Sequence, residues 1–119
     1  MMNSKETALL AAKVLDDKKA VDVVIIDIGE KASFADYFVI ATGNSERQVG
    51  TLSDDIGDKL AEADVMLKNI EGKQTSGWIL MDYGDVIINI MTSEMREHYN
   101  IERVWGDCNL IHYEEGTQK

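Results

Sequence analysis

Apolar residues recur along the chain with two periods. From Ser4 to about Lys19, Ala8, Ala11, Ala12 and Leu15 keep helical spacing, Leu10 and Val14 widen the stripe, and Lys5, Glu6 and Lys13 stay polar. An amphipathic helix capped by Ser4 is expected. "DVVIIDI" (Asp22 to Ile28) and "DYFVIATG" (Asp36 to Gly43) are instead short and rich in β-branched residues, so they read as strands apolar enough for burial on both faces. The link "GEKASFA" is too short for a crossover helix, and the two strands are expected to pair antiparallel.

A second helix is expected to start at Ser45, where Gln48 completes a Ser-x-x-Gln capping box and Val49, Leu52, Ile56, Leu60 and Ala63 keep helical spacing. After a polar link, "EGKQTSG", the strands Trp78 to Asp82 and Asp85 to Met91 are expected to form a hairpin with Tyr83-Gly84 as its turn. Thr92 or Ser93 can cap a short helix through His98, with Glu94 in its first turn and Asn100 closing it. Ile101, Val104 and Trp105 are expected to pack the tail back on the sheet, "NLIHY" to add an edge strand, and "EEGTQK" (114–119) to fray. The pattern predicts one α/β domain over 1–119, of the α+β kind: a sheet with packed helices.

Composition narrows the function. The 119 residues are 45% hydrophobic, enough for a core of their own. No apolar run approaches the ~20 residues of a membrane span, and the start of the chain lacks a signal-peptide layout, so a cytoplasmic protein without membrane contact is expected. With 22 acidic against 12 basic residues the formal net charge is −10, which opposes direct binding to a phosphate backbone and favours a basic protein as partner.

Candidate chemistry is sparse. "TGNS" before a helix resembles a phosphate-binding layout, yet Gly43 as a turn and Ser45 as a cap explain it without a ligand. Asp82 and Asp85 flank a turn and lack the Asp-x-Asp spacing that would put two metal-binding carboxylates on one strand face. His98, Cys108 and His112 match no compact zinc spacing, and Cys108, the single cysteine, reads as an inert or partly buried thiol. No catalytic residue, cofactor or metal is expected. Alternation puts Trp78, Leu80 and Asp82 on one strand face and Ile79, Met81 and Tyr83 on the other. Periodicity leaves two arrangements open: both faces under helices, or one left for a partner.

Five blocks in order, "DDKKAVDVVIIDI", "ADYFVIATGNSERQV", "EG", "GWILMDYGDVIINIM" and "REHYNIERVWGD", span about Asp16 to Asp107 and together resemble the ribosomal silencing factor (Iojap-like) family. The resemblance implies a nucleotidyltransferase-like fold, a mixed sheet without the catalytic carboxylates, and no reaction. It further implies binding to the large ribosomal subunit through large-subunit ribosomal protein fourteen, blocking small-subunit joining and lowering translation when nutrients are short. A homodimer is a further possibility it raises. Alternatives from other classes are a nucleotide-binding or nucleotidyltransferase enzyme and a ribosome assembly factor. Matched by position, the docking face falls on Trp78 as aromatic anchor, Leu80 as apolar flank and Asp82 as partner for a basic side chain, with Glu71 and Glu94 beside them. Arg96, Tyr99, Glu102 and Trp105 match the closing motif and read as an internal brace. The chain departs from the family pattern at Asn89, where His is common, and at Met91, where Phe is common.

Overall fold

A computed structural model describes residues 2–113; the fraying expected for 114–119 lies outside them. Six strands, β1 (Val21–Asp27), β2 (Tyr37–Gly43), β3 (Asn69–Lys73), β4 (Trp78–Asp82), β5 (Val86–Thr92) and β6 (Asn109–His112), form one mixed sheet in the order β3-β4-β5-β2-β1-β6. Only β2 and β5 run parallel; the remaining neighbours are antiparallel, including the expected β1–β2 pair. The fold is α+β, as the apolar pattern predicts.

Helices α1 (Ser4–Asp17) and α2 (Glu46–Glu62) pack on one face of the sheet. Ala11, Ala12 and Leu15 of α1 and Val49, Leu52, Ile56 and Leu60 of α2 meet Val23, Ile25, Val39, Ala41, Ile88 and Ile90 from the strands. The opposite face carries Val24, Ile26, Ile40, Ile87 and Met91 under two short helices, α3 (Ser93–Tyr99) and α4 (Ile101–Val104). Strands β1, β2 and β5 are therefore buried on both sides along most of their length.

Several boundaries differ from expectation, each for a local reason. Asn3, not Ser4, caps α1: its carboxamide oxygen accepts the Glu6 N–H at 2.8 Å and the Glu6 carboxylate accepts the Asn3 N–H at 3.1 Å. A capping box needs Glu or Gln three residues on; Asn3 has Glu6 there, whereas Ser4 has Thr7. Ser45 does cap α2, accepting the Gln48 N–H at 3.1 Å, but the Gln48 side chain reaches one residue further back, to the Asn44 N–H.

The hairpin turn is shifted by one residue. Asp82 pairs with Ile87 and the Tyr83 N–H donates to the Val86 carbonyl at 2.9 Å, so the two turn residues are Gly84 and Asp85. Gly84 takes the positive φ of +93° that the first turn position demands. Tyr83 stays in strand alternation and is buried on the helix-covered face. The Asp85 carbonyl accepts from the Asp36 and Tyr37 N–H groups at 2.7 and 3.1 Å, tying this turn to the start of β2.

The polar link "EGKQTSG" holds the end of strand β3, which starts at Asn69, and a 3₁₀ turn (Gln74–Ser76). Every residue of β3 is exposed, which is why its sequence carries no apolar alternation. Gly72 lies at φ +87°, and a Cβ there would come within 2.1 Å of the Trp78 carbonyl oxygen, so only glycine lets β3 close on β4. In the tail, β6 forms the expected edge strand, and Ile101 and Trp105 pack on the sheet. Val104 does not pack there: it is the last residue of the one-turn α4 and is 71% exposed.

Candidate functional site

On β4 the side chains alternate half-buried and buried from Trp78 to Asp82. Ile79 and Met81 enter the core under α2, whereas Trp78 and Leu80 sit on the face that α3 covers only in part. Strand pairing arranges this face in rows: Lys73–Trp78–Met91, Glu71–Leu80–Asn89 and Asn69–Asp82–Ile87. Each row runs from an exposed polar residue on the edge strand, across a half-buried residue of β4, to a buried one on β5.

A groove of about 380 Å³ opens where this face meets α3, lined by Glu71, Gly72, Ser76, Trp78, Leu80, Met95 and Tyr99. The Trp78 and Tyr99 rings lie with centroids 4.9 Å apart, tilted by 47°. The Trp78 indole N–H donates to the carboxamide oxygen of Asn89 at 3.0 Å. Apolar wall, aromatic floor and acidic lip suit a partner that offers an apolar or aliphatic side chain beside a positive charge.

Of the residues singled out from sequence, the fold brings Glu71, Trp78 and Leu80 together in the groove. Asp82 is one row further along the same face, and its carboxylate accepts the Gly84 N–H at 2.7 Å, so it shapes the turn. Glu94 lies in the first turn of α3, exposed and outside the groove lining. Met95 and Tyr99 were missing from the sequence-based face. Tyr99, expected in the brace, is 50% exposed and its ring lies against Trp78 instead, at the end of α3, which Asn100 closes in the left-handed conformation (φ 42°). The spacing of Met95 and Tyr99, four apart on one helix face, was the available signal.

The remaining brace residues act as expected. Arg96 forms two parallel hydrogen bonds to the Glu102 carboxylate, at 2.8 and 3.1 Å, and reaches the Asp22 carbonyl at 2.7 Å and the Thr42 hydroxyl at 2.9 Å. Trp105 meets Phe38 edge-on, with centroids 5.5 Å apart. Asp22 itself has a positive φ of 50° at an irregularity in the β1–β2 register, which turns its carbonyl toward Arg96.

A cavity of about 480 Å³ lies beyond the carboxyl ends of the parallel strands β2 and β5 and includes Thr42, Gly43, Asn44 and Ser93. This is where an α/β sheet places a nucleotide. Its one guanidinium, Arg96, is held by Glu102, Asp22 and Thr42, and Asp22, Glu97 and Glu102 make the walls acidic. That lining repels phosphate. Among the described residues, no three His, Cys, Asp or Glu side chains cluster so as to hold a metal, and no helix is long and apolar enough to cross a membrane. Cys108 is half-buried against the sheet, next to Trp105.

Known proteins share both sequence and architecture with this chain. The family profile described as "Ribosomal silencing factor during starvation" matches residues 1–119. Ribosomal silencing factor RsfS of Bacillus subtilis (strain 168) is 36% identical over 118 residues, covering 99% of this chain and all of the relative. The Zymomonas mobilis protein of the same name is 40% identical over 97 residues, covering 82% of this chain and 73% of its own. A crystal structure of a Chromobacterium violaceum protein superposes with a TM-score of 0.85 at 36% identity, covering 88% of each chain. The ordered motifs, the six-stranded sheet and these end-to-end similarities agree: the chain belongs to the ribosomal silencing factor family.

Proposed function

We propose that this protein binds the large ribosomal subunit through large-subunit ribosomal protein fourteen and sterically prevents the small subunit from joining, lowering translation when nutrients are short. The observation that carries the reading is the half-open face of β4, where Trp78 and Leu80 form an apolar groove with Glu71 on its lip. A ribosomal protein exposed among RNA is commonly basic, and a chain of net charge −10 is attracted to it while being kept off the RNA. Binding, not catalysis, is the activity, and the cytoplasm is where it acts. The acidic lining of the cavity at the ends of β2 and β5 gives the nucleotidyltransferase reading little support.

Cosedimentation with isolated large subunits tests this. Trp78→Ala should weaken binding by roughly thirtyfold or more, the scale expected of a central aromatic anchor. Glu71→Lys should weaken it too, chiefly at low salt, because reversing a rim charge damages steering that salt already screens. Glu71 is the better site for charge reversal than Asp82, whose carboxylate also holds the turn. A Trp78→Ala protein that melts as a folded domain and still binds large subunits normally would remove this face from the interface. Accumulation of immature particles, and not of unjoined mature subunits, on loss of the protein would point to an assembly role instead.

A further inference from the structure

Asn89 is 1% exposed, in the middle of β5, a position where the neighbouring Ile87, Ile88, Ile90 and Met91 are all apolar. Its carboxamide oxygen accepts the Trp78 indole N–H at 3.0 Å, which fixes the orientation of the amide, since only the oxygen can receive that proton. The amide nitrogen is then left buried without a hydrogen-bond partner. A buried, half-satisfied amide costs stability compared with an apolar residue of the same size. Its presence is therefore not explained by folding; what it does is hold the indole.

Asn89 pairs with Leu80 on the neighbouring strand, so its side chain stands on the same sheet face as Trp78, diagonal to it and on the side of the buried strand β5. A half-exposed tryptophan has several rotamers, and immobilising such a side chain opposes association. Held by Asn89 from the neighbouring strand and by Tyr99 from α3, the indole already occupies one orientation in the free protein.

We propose that Asn89 is a positioning residue for docking: it presets the Trp78 indole for the partner at the expense of an orphaned buried amide. This rests on Trp78 being the anchor, and the tests separate the two. In the free protein, Trp78 should show one indole N–H resonance that exchanges slowly with water and has the order of rigid backbone; exchange as fast as that of a solvent-exposed indole would overturn the proposal without reference to any partner. Asn89→Leu removes the acceptor and the orphaned amide together, so its melting temperature should stay level or rise while large-subunit binding falls roughly fivefold. In a Trp78→Phe background, which keeps an aromatic ring but has no N–H, Asn89→Leu should change binding no further. An equal loss in both backgrounds, or no loss in the wild-type background, would show that Asn89 does not act through the indole. If Trp78→Ala itself binds normally, the docking face fails, while the indole resonance still decides whether Asn89 sets the ring.

Discussion

The two faces of the sheet are built from the same strands and end differently. One is sealed: α1 and α2, 14 and 17 residues long, lay Leu15, Leu52, Ile56 and Leu60 against it, each at most 1% exposed. The other is roofed by α3 and α4, 7 and 4 residues long and without a fully buried residue of their own. Long helices with a complete apolar stripe bury their face; two short ones joined by a left-handed Asn100 cover β1, β2 and β5 but only part of β4. The groove at Trp78 is the uncovered remainder. Stability is concentrated on the first face and recognition on the second.

Truncation on the sealed side should have the largest effect. Ile56→Ala, removing most of a side chain with no exposure, should cost about 3 kcal/mol and lower the melting temperature by roughly 10 °C or more. A smaller loss on calorimetric melting would mean that α2 is as loosely held as α3. On the open side the corresponding change is Arg96→Ala, which leaves the partly buried Glu102 carboxylate without its partner and frees α3 and α4 from β1 and β2. About 2 kcal/mol is expected from denaturant titration, because the pair keeps some contact with water at 11% and 26% side-chain exposure.

Tyr83 should act with the opposite sign. Its hydroxyl is buried on the sealed face with no hydrogen-bond partner, and burial raises its pKa above 10.0. Tyr83→Phe should therefore stabilise the protein by about 1 kcal/mol at neutral pH. Above pH 10.0 the unfolded chain releases this proton before the folded one does; the folded state then binds more protons, so stability falls as pH rises. In melting experiments from about pH 9 to about pH 12, a window that spans that value, the phenylalanine variant should lose stability less steeply than wild type. An equal slope would mean the hydroxyl reaches water. The smallest effect is expected at Lys31, whose 2.6 Å ion pair with Asp107 raises the lysine pKa and lowers that of the aspartate. Both ends are exposed, and Lys31→Ala should leave the melting temperature unchanged within error.

How much of this could be read from sequence follows the range of the interactions. The stripe Val49, Leu52, Ile56, Leu60 fixes α2, and alternation sorts Trp78 and Leu80 from Ile79 and Met81, because both depend on neighbours within a turn or a pleat. The same local logic missed β3, whose residues are all exposed and leave no period to detect. It also missed Tyr99, whose ring meets Trp78 on a different element.

Sequence alone therefore determined α1, α2 and α3, the core strands, the acidic character and, through five ordered motifs, the family. Tertiary structure decided that β5 lies parallel beside β2, that the Asp22 carbonyl meets Arg96 across 74 positions, and that Trp78 closes on both Tyr99 and Asn89. The physical reason is that periodicity records which side of an element is apolar. Which elements meet, and what remains uncovered between them, depends on contacts between residues far apart in the chain, where no single segment carries the signal.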